Sequence, residues 1–502
     1  MTAPSHRFLV LGLDGGTFDL LDPLMEAGEL PFLRGLVQRG FRAPLTSVYP
    51  PKTIPAWYSF ATGQDPGTLG IFGFTEPDGG PGKSRIVQTF RPAEAFWDLL
   101  SRRGIRVGVL NFPLRSGYPL NGFFVPGMLS EHPPTYPAHL QSSLETELGE
   151  PYLAELPAYR ESERADWIAQ ATRGVEQRGR AAKILCDQYR PDFLFVLFRE
   201  TDRVQHQHWS ELARPHDEIQ ADLLAFWRAV DGACAQADHA FRALGGPSMT
   251  LVISDHGHGA ACADFFTNRW LAEENYLALR QGGESWRRRV LSRVLLASDR
   301  FGPLRRLLKP AADRLRGGAR RERVGRLLAG ESSFEAMAEH IDWRKTIAFS
   351  YPVPEGIYLN RYNPDLTPER SAEIVAEIRQ KLERYPEGKI EVFDPRTIYR
   401  GTNLDQAPAL LLRVDDMATE LRMDFSYSKP MLRHRPGYFY GSGVHRMNGI
   451  LIAGGAGVPG ARSDEPLSLL DVAPTILDGM GVPLPPTMTG RSFGPHLWPS
   501  AG

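Results

Sequence analysis

Four short segments of this chain place carboxylates and imidazoles beside the ends of apolar runs. Leu11-Gly12-Leu13 stops at Asp14, with Gly15 and Gly16 behind it. Phe193 to Phe198 is followed by Asp202 and His206, and Met249 to Ile253 leads into Ser254-Asp255-His256-Gly257. His445 precedes the run Gly449-Ile450-Leu451-Ile452-Ala453. Asp202 and His206 are four apart, so on a helix they share one face and can share one ion. Asp255 and His256 are adjacent, and on a straight strand they would point to opposite sides. Both can serve one site only if the chain turns there, which Gly257 and Gly259 permit. Asp carboxylates with His imidazoles form an oxygen/nitrogen donor set suited to Zn²⁺, Mn²⁺ or Fe²⁺. Singly, each segment has an ordinary structural reading: a helix cap for an Asp at a strand end, a turn for Asp-His-Gly. Four together point to a metal site.

The elements that must position these residues are legible as an alternation. Buried-strand runs are expected at Phe8 to Leu13, Arg106 to Leu110, Phe193 to Phe198 and Met249 to Ser254. Between them, Pro31 to Arg39, Glu94 to Arg103 and Val175 to Tyr189 carry helical periodicity. Such alternation predicts an α/β protein with a mostly parallel central sheet and helices on both faces. In such sheets ligands bind beyond the carboxyl ends of the strands, where the Asp and His residues fall. Ile357-Tyr358-Leu359, Ala409-Leu410-Leu411-Leu412 and Gly449 to Ala453 repeat the strand style, so the sheet is expected to draw on both halves of the chain. The expected organisation is a first core part over 1–261, with a possible cap excursion at 131–180. A basic helical insertion over 262–344 and a second core part over 345–502 follow.

Composition sets the outer bounds. A chain of 502 residues, 42% hydrophobic and 23% charged, has room for two to four units at about 150 residues each, or one large enzyme domain with insertions. The net charge of −1 argues against a globally basic nucleic-acid binder. Three widely spaced cysteines, Cys186, Cys234 and Cys262, suit a reducing compartment better than a disulfide framework. The sequence shows neither a signal-peptide core nor a run of about eighteen apolar residues, and the expected location is cytoplasmic.

Taken in order, the motifs resemble the alkaline-phosphatase superfamily, and within it the type I phosphodiesterase/nucleotide pyrophosphatase family with its predicted phosphohydrolase/phosphomutase branch. The resemblance rests on Leu11-Gly12-Leu13-Asp14-Gly15, on Pro50-Pro51-Lys52-Thr53-Ile54-Pro55-Ala56-Trp57 with Ala61-Thr62-Gly63, and on Asp202…His206. Ser254-Asp255-His256-Gly257, His445-Arg446-Met447, Leu470 to Ile476 and Gly490-Arg491-Ser492 complete it. It implies an alkaline-phosphatase-like fold with cap and insertion segments, and two divalent ions, zinc ahead of manganese. One ion would be held by Asp202, His206 and His445, the other by Asp14, Asp255 and His256 with Thr53 as nucleophile upon it.

The chemistry is consistent with that implication. A Thr hydroxyl is a poor nucleophile near neutral pH until a dication lowers its pKa, and a second ion about 4 Å away can stabilise the leaving oxygen. A phosphothreonine intermediate followed by hydrolysis is the implied course. A helix N-cap is the plain structural reading of Thr53, and it is compatible with catalysis because helix N-termini favour phosphate. One departure stands out: where the nucleotide pyrophosphatases place an Asn after Gly-Ile, Gly70-Ile71-Phe72-Gly73-Phe74 offers Phe74, which cannot donate to a phosphoryl oxygen. Lys52 is a candidate replacement, with solvated surface as the alternative.

Other residues are read as structural. His208 and His258 lie near the expected ligands and are second-shell candidates, with surface or packing roles preferred. Trp57, Trp97, Trp209 and Trp227 are read as core or pocket wall, Asn111 as site lining or a cap, and Asp98 and Asp238 as exposed helix charges. Residues 286–330 carry fourteen Lys and Arg against three acids, a net of +11, leaving −12 for the rest. Such a block can meet an anionic membrane surface or a polyanionic substrate; a solvated amphipathic insertion is the preferred reading. The leading function is a metal-dependent phosphoesterase acting on a phosphorylated small molecule or a lipid- or glycan-linked phosphate, without specific nucleic-acid binding. A phosphomutase or phosphomonoesterase on the same site, and a non-catalytic surface-binding protein on a hydrolase fold, are the alternatives. A sulfatase is disfavoured, because Thr53-Ile54-Pro55-Ala56-Trp57 lacks the Cys/Ser-x-Pro-x-Arg context.

Overall fold

The computed structural model describes residues 6–128, 134–280, 338, 341–425, 429–435 and 441–498, apart from positions 81, 91 and 456. The basic block at 286–330 lies outside the described residues. Nine strands make the central sheet: β1 (Arg7–Leu13), β2 (Phe41–Thr46), β3 (Val107–Pro113), β4 (Gly122–Gly127), β5 (Phe193–Phe198), β6 (Ser248–Ile253), β7 (Asn448–Gly455), β8 (Ala461–Arg462) and β9 (Leu467–Ser468). Across the sheet the order is β8-β2-β7-β6-β1-β5-β3-β4, with β9 also paired to β2. Every pairing is parallel except those of β7 with β2 and β6.

The middle strands are continuous apolar runs because helices cover both their faces. Leu9 and Leu11 of β1 pack with the long helices Arg164–Tyr189 and Ala221–Ala243, together with Pro31–Arg39. Phe8 and Val10, on the opposite face, pack with Thr53–Thr62, Phe96–Arg102 and Val472–Gly479. The 131–180 stretch contributes the helix Leu140–Leu148 and most of Arg164–Tyr189, whose buried residues belong to the first of these cores.

Of the three later strand runs, only the one at 449–453 enters the central sheet. Gly356–Leu359 and Leu410–Val414 join Ala348–Phe349 and Ile390–Phe393 in a separate four-stranded antiparallel sheet. Period alone identifies a short buried strand but not its neighbours. Ile374, Ile378 and Leu382 of the helix Pro368–Glu383 share a third core with that sheet. A three-stranded sheet of Ala263–Phe266, Thr419–Arg422 and Leu432–His434 adjoins it. Among the described residues, no helix is long and apolar enough to cross a membrane.

Candidate metal centre

β1, β5 and β6 run parallel, so their carboxyl ends share one edge of the sheet. Asp14 follows β1 directly and is wholly buried. Gly15, with φ +67°, turns the chain away; a Cβ there would lie 2.4 Å from Nδ1 of His258. The Asp-Gly pair is thus required both by backbone conformation and by close approach. After β5, Asp202 and His206 lie on the helix Glu200–Leu212. After β6, Asp255 and His256 turn into the strand Gly257–Ala260, which pairs antiparallel with Gly443–Arg446. β7 runs against its neighbours, so its amino end lies at the carboxyl edge of the parallel strands. That reversal brings His445, just upstream of β7, to the same place.

The two short strands are in a register that sets His445 directly opposite His258. Oδ1 of Asp202 lies 3.3 Å from Nε2 of His206, 3.3 Å from Nε2 of His445 and 3.6 Å from Nε2 of His258. These four residues form one donor group, with candidate ligand atoms within 4.8 Å of one another. Asp14, Asp202 and His256 form a second. Asp255 flanks it, with Oδ2 3.2 Å from Nε2 of His256 and Oδ1 accepting the Gly15 N–H at 3.1 Å. The grouping therefore differs from the sequence expectation in three respects: Asp202 is common to both sets, His258 enters the first, and Asp255 lies beside the second instead of within it. Surface or packing was the preferred reading of His258; the structure buries it completely among the other histidines.

The donor atoms lack the partners that buried polar atoms normally have. Asp14 Oδ1, Asp202 Oδ1, Asp255 Oδ2, His256 Nε2 and both ring nitrogens of His258 are buried without a hydrogen bond. The outward nitrogens are held instead by carbonyls: His206 Nδ1 lies 2.9 Å from Gly443 O, His445 Nδ1 2.6 Å from Pro51 O, and His256 Nδ1 3.1 Å from Gly257 O. A carbonyl only accepts, so each Nδ1 carries the proton and each Nε2 presents a lone pair inward. Nε2 of His206 and Nε2 of His445 then face each other at 2.8 Å. Two facing lone pairs need a cation, and the residues fit divalent metal.

The electrostatics agree. Burial, with Asp255 and Asp202 as like-charged neighbours, pushes the Asp14 carboxyl well above the ordinary range. Burial pushes Asp255 up as well, against the Gly15 N–H that favours its charged form. Burial also opposes ionisation of Asp202, but His206, His445 and His258 outweigh it and hold the carboxyl well below its usual value. Burial pushes His256, His258 and His445 down, with Asp202 opposing the shift in each.

Thr53 begins the helix Thr53–Thr62 and is 2% exposed, with Lys52 rather than Thr53 in the cap position. It is anchored on both sides. Two residues earlier, Pro51 O meets His445; one turn later, Trp57 Nε1 donates to Oδ2 of Asp14 at 3.0 Å. Gly12 makes room for that indole, since a Cβ at Gly12 would lie 2.7 Å from the Trp57 ring. Lys52 is ion-paired with Glu355 at 2.7 Å instead of lying in solvent. Phe74, 37% exposed, lines a cavity of about 400 Å³ with Lys52, His206, His445, Val353 and Met417.

The remaining residues have structural places. Asn111 lies within β3 and caps no helix: it sits at φ +67°, donating to Leu197 O from the irregularity where β3 shifts register on β4. His208 is buried against Glu211 at 2.8 Å. Trp97 and Trp227 are core, and Trp209 stacks near His258 with ring centroids 6.3 Å apart. Asp98 and Asp238 are buried, not exposed; Asp98 accepts from Ala95 N, and Asp238 from Thr250 and Arg242. Each satisfies a local donor, which a helical charge pattern does not reveal.

Comparisons with known proteins bear on this geometry. The profile of the family described as Type I phosphodiesterase / nucleotide pyrophosphatase matches residues 8–393. No curated protein sequence matches significantly. Among solved structures, the alkaline phosphatase PafA is similar with TM-score 0.58 and 13% identity, covering 99% of each chain. Phosphonoacetate hydrolase from Sinorhizobium meliloti 1021, in complex with phosphonoformate, is similar with TM-score 0.56 and 14% identity, covering 95% of this chain and 96% of that one. The fold is alkaline-phosphatase-like, and the chain belongs to the type I phosphodiesterase/nucleotide pyrophosphatase family.

Proposed function

We propose that this protein is a phosphoesterase of the phosphodiesterase type that uses two divalent ions, zinc ahead of manganese, with Thr53 as its nucleophile. The observation that carries the reading is the set of buried, unpartnered donor atoms on Asp14, Asp202, Asp255, His256 and His258, gathered with His206 and His445 beside the helix that starts at Thr53. Asp202, His206 and His445, with His258, would hold one ion; Asp14, Asp255 and His256 would hold the other beside Thr53. Bound metal would supply charge neutralisation at the phosphoryl oxygens and lower the pKa of the attacking oxygen.

The chain's own residues then do the following. Thr53 Oγ gives up its proton and forms the new bond to phosphorus as the bond to the leaving oxygen breaks; the departing alcohol takes up a proton, and Thr53 is left esterified to the phosphoryl group with the diester's second substituent still attached. Water cleaves that ester and returns the proton to Thr53 Oγ. The amino end of the Thr53–Thr62 helix favours the negative charge held there. Trp57 and Pro51 fix the nucleophile's helix to Asp14 and His445. Phe74 and its apolar neighbours leave room for a second organic substituent on the phosphoryl group, which favours a diester over a small monoester.

The test is turnover of bis(4-nitrophenyl) phosphate by metal-loaded protein. Activity lost on chelation, and lost in Thr53→Ala, supports the reading; undiminished turnover by Thr53→Ala overturns the nucleophile assignment.

A further inference from the structure

A second cavity, of about 360 Å³, opens on the other side of His206. It shares His206 and Glu420 with the cavity that contains Lys52 and Phe74, so the two meet at those side chains. Its walls come from the three-stranded sheet and the segments flanking its strands, with His206 and Gln207 of the helix Glu200–Leu212, and carry four cations, Arg422, Lys429, Arg433 and Arg435, against Asp264, Glu420 and Asp424.

The carboxylates are already engaged. Arg435 is clamped between Asp264 and Glu420. Arg433 reaches Asp264 at 3.4 Å, and Arg422 reaches Glu420 at 3.4 Å and Asp424 at 3.8 Å. Lys429 makes no ion pair among the described residues. Its ammonium is pushed down by burial and by the neighbouring Arg433, with Asp424 and Asp264 opposing the shift. Arg433 remains about one-third exposed and, among the described residues, shares its one carboxylate with Arg435.

We propose that this cavity is a second anion subsite. The substrate carries, beyond the phosphoryl group at the histidine–carboxylate cluster, a further phosphate or carboxylate that pairs with Lys429 and Arg433. The proposal rests on the phosphoesterase reading and specifies the substrate class. Arg435 holds the floor, because its two carboxylates lie on neighbouring strands, while Lys429 and Arg433 supply the free charge. Charge-assisted bonds to an ammonium and a guanidinium in a recessed site give discrimination that an exposed pair would not.

The test compares metal-loaded protein on 4-nitrophenyl phenyl phosphate and on analogues bearing a carboxylate or a second phosphate on the phenyl ring. The expected result is a preference of about tenfold or more for an anionic analogue, expressed in KM and reduced by added salt. Lys429→Ala and Arg433→Ala should abolish the preference while leaving turnover of the plain diester within about twofold; Lys429→Arg should restore part of it. The stronger of the two anionic arms identifies the acid. Equal KM for all three substrates, or a preference that survives both alanine variants, overturns the proposal. Calorimetric titration of the corresponding non-hydrolysable phosphonates separates the two claims. If nothing is turned over yet the anionic phosphonate still binds more tightly through Lys429, the phosphoesterase reading fails and the subsite stands.

Discussion

The indole N–H of Trp57 donates to Oδ2 of Asp14 at 3.0 Å, across a sequence separation of 43 residues. One end of that bond belongs to the helix that starts at Thr53, the other to the strand end carrying a metal-site carboxylate. The bond leaves Oδ1 of Asp14 as the unpartnered oxygen facing the cluster. The proposed nucleophile and the proposed metal ligand are therefore positioned by one shared contact.

Trp57→Phe keeps most of the ring volume and deletes the donor. Metal affinity should fall by about 10–100-fold, as for loss of an outer partner of a ligand. Stability should fall by about 1–3 kcal/mol, from a buried carboxylate oxygen left unpaired. Metal titration and denaturant melts of the same preparation read both.

His258 lies opposite His445 with neither ring nitrogen hydrogen-bonded. His258→Ala should lower metal affinity by about 10–100-fold, whereas His208→Ala, outside the cluster, should leave metal content unchanged. Equal metal content in His258→Ala and the parent protein would assign His258 to packing alone.

Metal should stabilise the protein more at neutral than at acid pH. Asp14 and Asp255 are raised, so in the metal-free protein they keep their protons above the ordinary carboxylate range. Such a group contributes stability that is present below its unfolded value and lost as pH rises through its folded value. Metal binding displaces those protons, so its stabilising effect grows over the same rise. His256, His258 and His445 are lowered and already neutral there, so the carboxyls set the onset. Thermal melts with and without zinc between pH 5 and 8 should show a widening gap, and a constant gap would contradict this.

Arg178 and Glu200 form an ion pair with side-chain exposures of 0% and 3%, which ties the helix Arg164–Tyr189 to the first residue of the helix that carries Asp202. Arg178→Ala should cost about 3–5 kcal/mol, because it strands a buried carboxylate. Arg178→Met paired with Glu200→Gln should cost less, as read by denaturant melts.

The strand ends were legible because a parallel strand covered on both faces is an unbroken apolar run, and Asp14, Asp202, Asp255 and His256 simply follow such runs. His258 was not, since its role depends on the pairing of Gly257–Ala260 with Gly443–Arg446, nearly two hundred residues away in sequence. Lys52 is the same kind of case: its partner Glu355 comes from the separate four-stranded sheet's neighbourhood, and no local pattern links them. The buried Asp98 and Asp238 escaped because a carboxylate facing a backbone N–H or a threonine has the same helical spacing as one facing water. Alternation also misassigned the strand runs at 357–359 and 409–412, since a short apolar run does not encode which sheet it joins.

Rapid quenching of metal-loaded protein with bis(4-nitrophenyl) phosphate, followed by peptide mass spectrometry, tests the central claim most directly. A 4-nitrophenyl phosphoryl group should appear on Thr53 during turnover and be absent from Thr53→Ala, which should be inactive. Turnover that proceeds in Thr53→Ala, or phosphorylation found only at another residue, would contradict the account.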